Sequence, residues 1–295
     1  MLSVITATFN KLELSQDYLS SLEANPPDEP WEIIWVDDGS TDGTRDWLQN
    51  LPAPRHRVIF NNQNLGYAAS NNRGAQIAQG EILVLLNNDL VLTPGWYKPM
   101  IASLTSIKHV GMVGNIQIQP KTGRIDHAGV IFDLVGLPDH HLKNRGLRAA
   151  KGAGHFFNAT TAACCMIRRD VFLSVGGFDE RYQNGCEDLD LCLRLQAQGY
   201  RHWVDYHSVV HHHVSSSPGR KTREQDNLRL FLSEWGSVTR TWGERDWPKN
   251  YLSRHLWSPA RLNGPKTLDA LLRLLRFRKG PSAWAEKIRS QILSD

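Results

Sequence analysis

Glu32-Ile33-Ile34-Trp35-Val36-Asp37-Asp38-Gly39-Ser40-Thr41-Asp42-Gly43-Thr44 decides the fold of this chain. The run from Glu32 to Val36 is apolar and β-branched, so it reads as a buried strand. Two aspartates follow at once. Glycines then allow a tight turn, and Ser40 or Thr41 is placed to cap a helix running to about Leu51. A strand passing through acidic residues into a helix is half of a βαβ unit. Ligands of open α/β sheets collect at that end of the strands.

The same alternation extends outward from this stretch. Leu2 to Thr8 is a β-rich run, and Leu12, Ser15, Leu19 and Leu22 recur at helical spacing until Pro26-Pro27. Arg57–Asn61 reads as a third strand, Ala68–Ala78 as a helix and Glu81–Leu86 as a fourth strand. The prediction is an α/β protein with a mostly parallel sheet flanked by helices. A dinucleotide-binding fold needs GxGxxG after its first strand, and Ala7-Thr8-Phe9-Asn10 stands there instead. That fold is excluded.

The pattern changes after Val110. Val110–Ile118 and Gly129–Leu134 read as strands, and Pro138 to Gly154, rich in His, Gly and basic residues, reads as a long mobile loop. Cys164–Ile167 is a buried strand leading into a short helix after Arg168-Arg169. A turn at Gly176-Gly177-Phe178-Asp179, a helix over Glu187–Gln198 and a last strand over Val204–Val210 follow. Beyond Thr222 the chain is helical, basic and Trp-rich, with Trp235, Trp242, Trp247, Trp257 and Trp284. Within Lys266–Lys279, Leu268, Leu271, Leu272 and Leu275 keep helical spacing beside Arg273, Arg276, Arg278 and Lys279. Two readings fit: a helix lying on an anionic membrane surface, or a C-terminal helix packing its apolar stripe on the body. The division expected is a domain over 1–217, with halves at 1–109 and 110–217, and an extension over 218–295.

Bulk composition sets limits. At 295 residues the chain can bury a substantial core, and its 41% apolar and 22% charged content is ordinary for a soluble globular protein. A formal charge of +4 is too mild to argue for nucleic acid. No apolar run is long enough to cross a bilayer, and no signal peptide precedes the strand-like Leu2-Ser3-Val4-Ile5. Cys164, Cys165, Cys186 and Cys192 form no pair of CxxC motifs, which suits a reducing, cytoplasmic setting.

Three acidic stretches carry the candidate chemistry. Asp37-Asp38 can accept from a base N–H or ribose hydroxyls, or simply border a capped turn. Asn87-Asn88-Asp89 ends the most hydrophobic strand; a cation bridging two phosphates needs only one or two protein carboxylates, which Asp89 can supply. Asn and Asp also favour plain turns. Glu187-Asp188-Leu189-Asp190 opens a helix, where carboxylates meet the favourable end of the macrodipole. Asp188, flanked by the like charges of Glu187 and Asp190, is the candidate proton acceptor; helix capping alone also explains it. His211-His212-His213 cannot all serve one ion, because consecutive residues of a strand face opposite sides. Either His211 or His213 would complete a cation site with Asp89. HExxH is absent.

In order, these stretches resemble the family 2 glycosyltransferases of the GT-A fold. The matching segments are Ser3 to Asn10, Glu32 to Thr44, Asn64 to Asn71, Gly80 to Asp89, Gly176 to Glu180, Glu187 to Arg194 and Val209 to His211. Ile125-Asp126-His127-Ala128-Gly129 and Gly136-Leu137-Pro138 are similar to bacterial enzymes of cell-surface polysaccharide synthesis, rhamnosyltransferase-like members included. The resemblance covers residues 1 to about 217. It implies that Ala7 and Phe9 line a base pocket, that Asp38 contacts the nucleoside, and that Asn64 and Gly66 lie on the nucleotide-sugar side. Asn88 and Asp89 would hold the DxD position, with Asp89 on Mg2+ or Mn2+ and His211 as second metal contact. Asp188 would be the general base of an inverting transfer. The donor implied is a nucleotide-diphosphate sugar, UDP- or dTDP-linked, and the acceptor a glycan or lipid-linked saccharide. The DxD slot reads Asn-Asn-Asp, which leaves a single carboxylate. The Pro138–Gly154 loop is expected to act as an acceptor-side lid.

Other functions fit less well. A sugar-nucleotide pyrophosphorylase would carry a Gly-rich, basic signature after the first strand, where Thr8-Phe9-Asn10-Lys11 stands. A processive synthase would bring membrane spans and a QxxRW-type signature. A non-catalytic nucleotide-sugar-binding subunit would not be expected to retain Asp38, Asp89 and Asp188 together.

Overall fold

The computed structural model describes residues 1–213, 223–255 and 262–294. Strands β1 (Leu2–Thr8), β2 (Trp31–Asp37), β3 (His56–Phe60) and β4 (Ile82–Leu86) run parallel in the order β3-β2-β1-β4. Helices α1 (Leu12–Ala24), α2 (Thr44–Gln49) and α3 (Tyr67–Ile77) connect them. Period-two alternation assigns each strand to two cores. Ile5, Ile34, Val36, Leu83 and Leu85 face one apolar cluster, while Val4, Ile33, Trp35, Val84 and Leu86 face the other. Strand β2 pairs with β1 on one side and β4 pairs with it on the other, so a crevice opens at the carboxyl ends of these strands.

The sheet continues past β4. Next come β5 (Leu90–Val91), α4 (Tyr97–Ser106), β6 (Val110–Ile118), β7 (Ile125–His127), β8 (Val130–Phe132), β9 (Pro138–His140), β10 (Gly154–Phe157) and β11 (Cys164–Arg168). Helices α5 (Arg169–Ser174) and α6 (Glu187–Ala197) lead to β12 (Arg201–His212). Strand β11 lies antiparallel between β4 and β6, and β12 is parallel to β6. Strands β6 and β12 therefore end at the same edge as β1, β2 and β4.

Two expected elements differ. Helix α2 starts at Thr44 because Ser40 and Thr41 are engaged elsewhere: Ser40 Oγ accepts from the Asn10 N–H (2.8 Å) and the Thr41 N–H donates to Asn10 Oδ1 (2.7 Å). Gly39 is needed there, since at φ +83° a Cβ would lie 2.9 Å from the Gln63 carbonyl carbon. Pro138 to Gly154 is not an unstructured loop. Strand β9 pairs with β8, the His141 N–H bonds the Gly129 carbonyl (2.8 Å), the Asn144 N–H bonds the Ile125 carbonyl (2.7 Å), and Arg254 Nη1 donates to Asp139 (2.7 Å).

Helix α7 (Glu224–His255) is built into the main body. Phe231 is fully buried and stacks on Phe132 at 6.2 Å between centroids, and Trp235 Nε1 donates to Asp190 (2.9 Å). Gly243 lets α7 approach the β8–β9 turn, where a Cβ would sit 1.9 Å from the Asp133 carbonyl oxygen. Trp247, Tyr251 and Trp284 form a second aromatic group with α9 (Ala283–Ser294). Four of the five C-terminal tryptophans singled out by sequence thus pack; Trp257, like the expected boundary at 217, lies outside the described residues. Replacing Phe231 by Ala is expected to cost about 3–5 kcal/mol, measured by urea unfolding; a loss under about 1 kcal/mol would mean that α7 is only loosely attached.

Helix α8 (Gly264–Leu274) reverses the packing expectation. It buries Asp269, Ala270 and Arg273 and leaves Leu268, Leu271 and Leu275 exposed. No helix among the described residues is long and apolar enough to cross a membrane.

Candidate functional site

The carboxyl ends of β1, β2, β4, β6 and β12 open, with the segment before β11 and the N-termini of α6 and α7, onto one cleft of about 950 Å³. Ala7, Phe9, Asp38, Asn64, Asn88, Asp89 and Asp188 all line it. Ala7 and Asp188, 181 positions apart in sequence, meet there because the strand ends and the N-terminus of α6 share one edge.

On the β1–β2 side, Asp38 is buried and held tightly. Its Oδ1 accepts from Asn61 Nδ2 (2.8 Å) and the Leu65 N–H (2.8 Å), and its Oδ2 from the Gly66 N–H (2.9 Å). Gly66 therefore does not border the cleft as expected; its N–H faces Asp38, and its φ of +90° starts α3. Asp37, fully buried, points elsewhere and bonds the Ser40 N–H, with Arg45 3.6 Å away. Of the two aspartates only Asp38 faces the cleft.

Beside it, Asn88 Nδ2 donates to Thr8 Oγ1 (3.0 Å) and Ser15 Oγ (2.9 Å), which fixes the 87–89 turn to β1 and α1. Asp89 lies 3.2 Å from His212 Nε2, both side chains nearly buried. The expected partner His211 is a correction. Along β12, Ser208, Val210 and His212 share the buried face, whereas Val209 and His211 take the other. His211 is absent from the cleft wall, and His212 stands there. Alternation along a strand separates His212 from His211, but which of the two faces meets Asp89 is set by the packing of β12.

The third wall carries Asp188 at the first turn of α6. Its Oδ2 accepts from the Ala162 N–H (3.1 Å), which aims the carboxylate into the cleft from a favourable dipole position. The like charges beside it are diverted. Glu187 turns back onto the Gly185 N–H (2.5 Å), and Asp190 pairs with Arg194 (2.7 Å) and Trp235. Burial holds the Asp190 carboxyl above its ordinary range although Arg194 opposes it.

Sequence reading gave no role to Gln117, Asp126 or His140, which also line the cleft. The Gly129 N–H donates to His127 Nε2 (3.2 Å), so the His127 proton sits on Nδ1 and is shared with His140 Nδ1 at 2.8 Å. His140 then carries its own proton on Nε2. Burial pushes both imidazoles below the usual range, His127 far below it. Their neutral, polar wall joins His127 of the Ile125–Gly129 motif to His140 of the segment expected only as a lid.

Two other chemistries find no support. Burial raises the Cys164 thiol to about 12 and pushes Cys165, Cys186 and Cys192 up as well, so none is poised as a thiolate. Asp179, Asp190 and Glu234 lie close enough to share an ion, but Arg181 bridges Asp179 and Glu234 (2.5 and 2.7 Å) and Arg194 takes Asp190. Guanidinium groups already neutralise that cluster.

A parallel sheet with a switch-point cleft, continued by an antiparallel strand, is the layout of the GT-A fold. The structure matches GalNAc-T7 bound to UDP, GalNAc and Mn2+ with a TM-score of 0.64 at 18% identity, over 94% of this chain and 54% of that one. The model of Glycosyl transferase family 2 matches residues 3–176, and the chain belongs to that family. It is 33% identical over 223 residues to the O-antigen biosynthesis protein RfbC of Myxococcus xanthus, covering 73% of this chain but only 17% of RfbC. It is also 27% identical over 253 residues to the N-acetylglucosaminyl-diphospho-decaprenol L-rhamnosyltransferase of Mycobacterium tuberculosis, covering 75% of this chain and 78% of that one.

Proposed function

We propose that this chain is an inverting glycosyltransferase that moves a sugar from a nucleotide-diphosphate donor to a hydroxyl of a glycan or lipid-linked saccharide, in cell-surface polysaccharide synthesis. The observation that carries this reading is the meeting of Ala7, Phe9, Asp38, Asp89 and Asp188 around one cleft. Ala7, Phe9 and Asn64 border the nucleoside end, and Asp38 keeps that wall rigid through its three backbone and amide bonds. A single carboxylate and one imidazole nitrogen, Asp89 with His212, would hold Mg2+ or Mn2+, a cation that needs few protein ligands beside a diphosphate. Bound there, the cation supplies charge stabilisation to the leaving diphosphate.

Asp188 takes the proton. As the acceptor oxygen attacks the anomeric carbon, its O–H proton passes to an Asp188 oxygen while the bond from that carbon to the diphosphate oxygen breaks. The Ala162 N–H steadies the carboxylate through this transfer. Gln117, Asp126 and His140 face the same space and would orient acceptor hydroxyls. A cytoplasmic setting is part of this proposal; four free cysteines and a nucleotide-linked donor are consistent with it.

A thermal-shift screen of UDP-, dTDP- and GDP-sugars with and without Mn2+ tests the donor half. One donor class should raise Tm in a Mn2+-dependent manner, because a ligand at 100 times its Kd adds about 2.7 kcal/mol. No shift with any of them would remove the donor assignment.

A further inference from the structure

Helix α8 is folded inside out. Successive residues of a helix are about 100° apart, so Leu268, Leu271, Leu272 and Leu275 form one stripe and Asp269, Ala270 and Arg273 the opposite one. A surface helix ordinarily turns such a stripe inward. Here Asp269, 1% exposed, accepts from Arg273 Nε (2.9 Å), Trp284 Nε1 (3.0 Å) and Ser282 Oγ, and Arg273 also donates to the Gly280 carbonyl (2.6 Å). That network fastens the polar face to the start of α9. The leucines cannot roll inward without breaking it. Leu268 is 58% exposed, Leu275 63% and Phe277 80%.

The charge around this stripe has one sign. Between Gly264 and Gly280 the acid is Asp269, buried and paired with Arg273 and Arg278, against Lys266, Arg273, Arg276, Arg278 and Lys279. The helix ends with the Phe277 N–H on the Leu272 carbonyl (2.8 Å) and the Arg276 N–H on the Arg273 carbonyl (3.0 Å). Arg276 occupies the left-handed position of that end, φ +64°, where glycine is favoured. A cation is kept beside an exposed Phe at some conformational cost.

We propose that α8 docks the protein on an anionic lipid bilayer, with Leu268, Leu271, Leu275 and Phe277 entering the acyl boundary and Arg276 and Lys279 meeting headgroup phosphates. Apolar side chains ringed by cations without free acids complement such a surface. Tyr251 of α7 bonds Asn263 and Thr267 at the start of α8, and Asn227 of α7 lines the cleft. At about 1.5 Å per residue, α7 holds the cleft about 36 Å along its axis from this contact.

The test is sedimentation of the full chain with vesicles of phosphatidylcholine alone and with about one third phosphatidylglycerol, which needs no transfer activity. Binding should favour the anionic vesicles by at least about tenfold, since each cation contributes about fivefold. The pair Leu271→Ser with Phe277→Ser should lose about tenfold, and Arg276→Glu with Lys279→Glu should erase the lipid preference. Circular dichroism and donor affinity should be unchanged in both, because these side chains are exposed and distant from the cleft. Absence of vesicle binding, equal binding to both compositions, or no response to either pair would overturn the proposal. So would self-association that the Leu271 and Phe277 changes abolish, which would assign the face to a second copy. A failure here with intact donor binding leaves the transferase reading standing.

Discussion

Asp188→Asn is expected to lower turnover by about 10³-fold and to leave donor affinity within a few-fold. Asn is nearly isosteric and keeps an oxygen to accept the Ala162 N–H, so the start of α6 should hold its shape. It cannot take up the acceptor proton. Loss of the proton acceptor removes a contribution made only as the new bond forms, which lowers kcat without weakening ground-state binding. Single-turnover release of nucleotide, with the donor and acceptor the unaltered chain uses, and calorimetry with the donor alone give the two numbers. Turnover within about threefold of the parent would take Asp188 out of the mechanism.

The second large effect separates adjacent histidines. Asp89→Ala should remove the Mn2+-dependent part of nucleotide-diphosphate binding, about 100-fold, because cation stabilisation of a diphosphate is worth several kcal/mol. His212→Ala should follow it in direction with a smaller loss. His211→Ala should change binding by less than about twofold, since its side chain takes the other face of β12 and does not line the cleft. The contrast is read by titrating UDP, dTDP and GDP at fixed Mn2+ and again in EDTA. Equal losses in the two histidine variants would contradict the strand geometry, and unchanged Mn2+ dependence in Asp89→Ala would remove the cation site.

The framework of the first hundred residues was legible because strong local signals agree. Apolar runs, turn glycines and helical spacing placed β1 to β4 and their helices within a few residues. Asp38, Asp89 and Asp188 stood out as an ordered set, since each one alone is also explained by a capped turn or a helix start. Boundaries shifted where side chains reached across the sheet. Asn10 engaged Ser40 and Thr41 and moved the start of α2 to Thr44, a contact between segments about 30 residues apart. Pro138 to Gly154 misled for a similar reason. Its polar composition resembles a free loop, yet its order comes from backbone bonds to Gly129 and Ile125 and from Arg254, 115 positions away.

Sequence by itself determined the layered α/β architecture, the family and the carboxylates worth testing, since hydrophobic periodicity and turn chemistry act over a few residues. Only the tertiary structure decided that His212 rather than His211 stands by Asp89, that Gly66 serves Asp38 rather than the cleft, and that His140 lines the cleft. It also decided that α8 presents its leucines outward. Each depends on which face of an element meets which neighbour. That choice is settled by contacts between distant segments, where a buried network such as Asp269 with Arg273 and Ser282 outweighs the local preference of the helix that carries it.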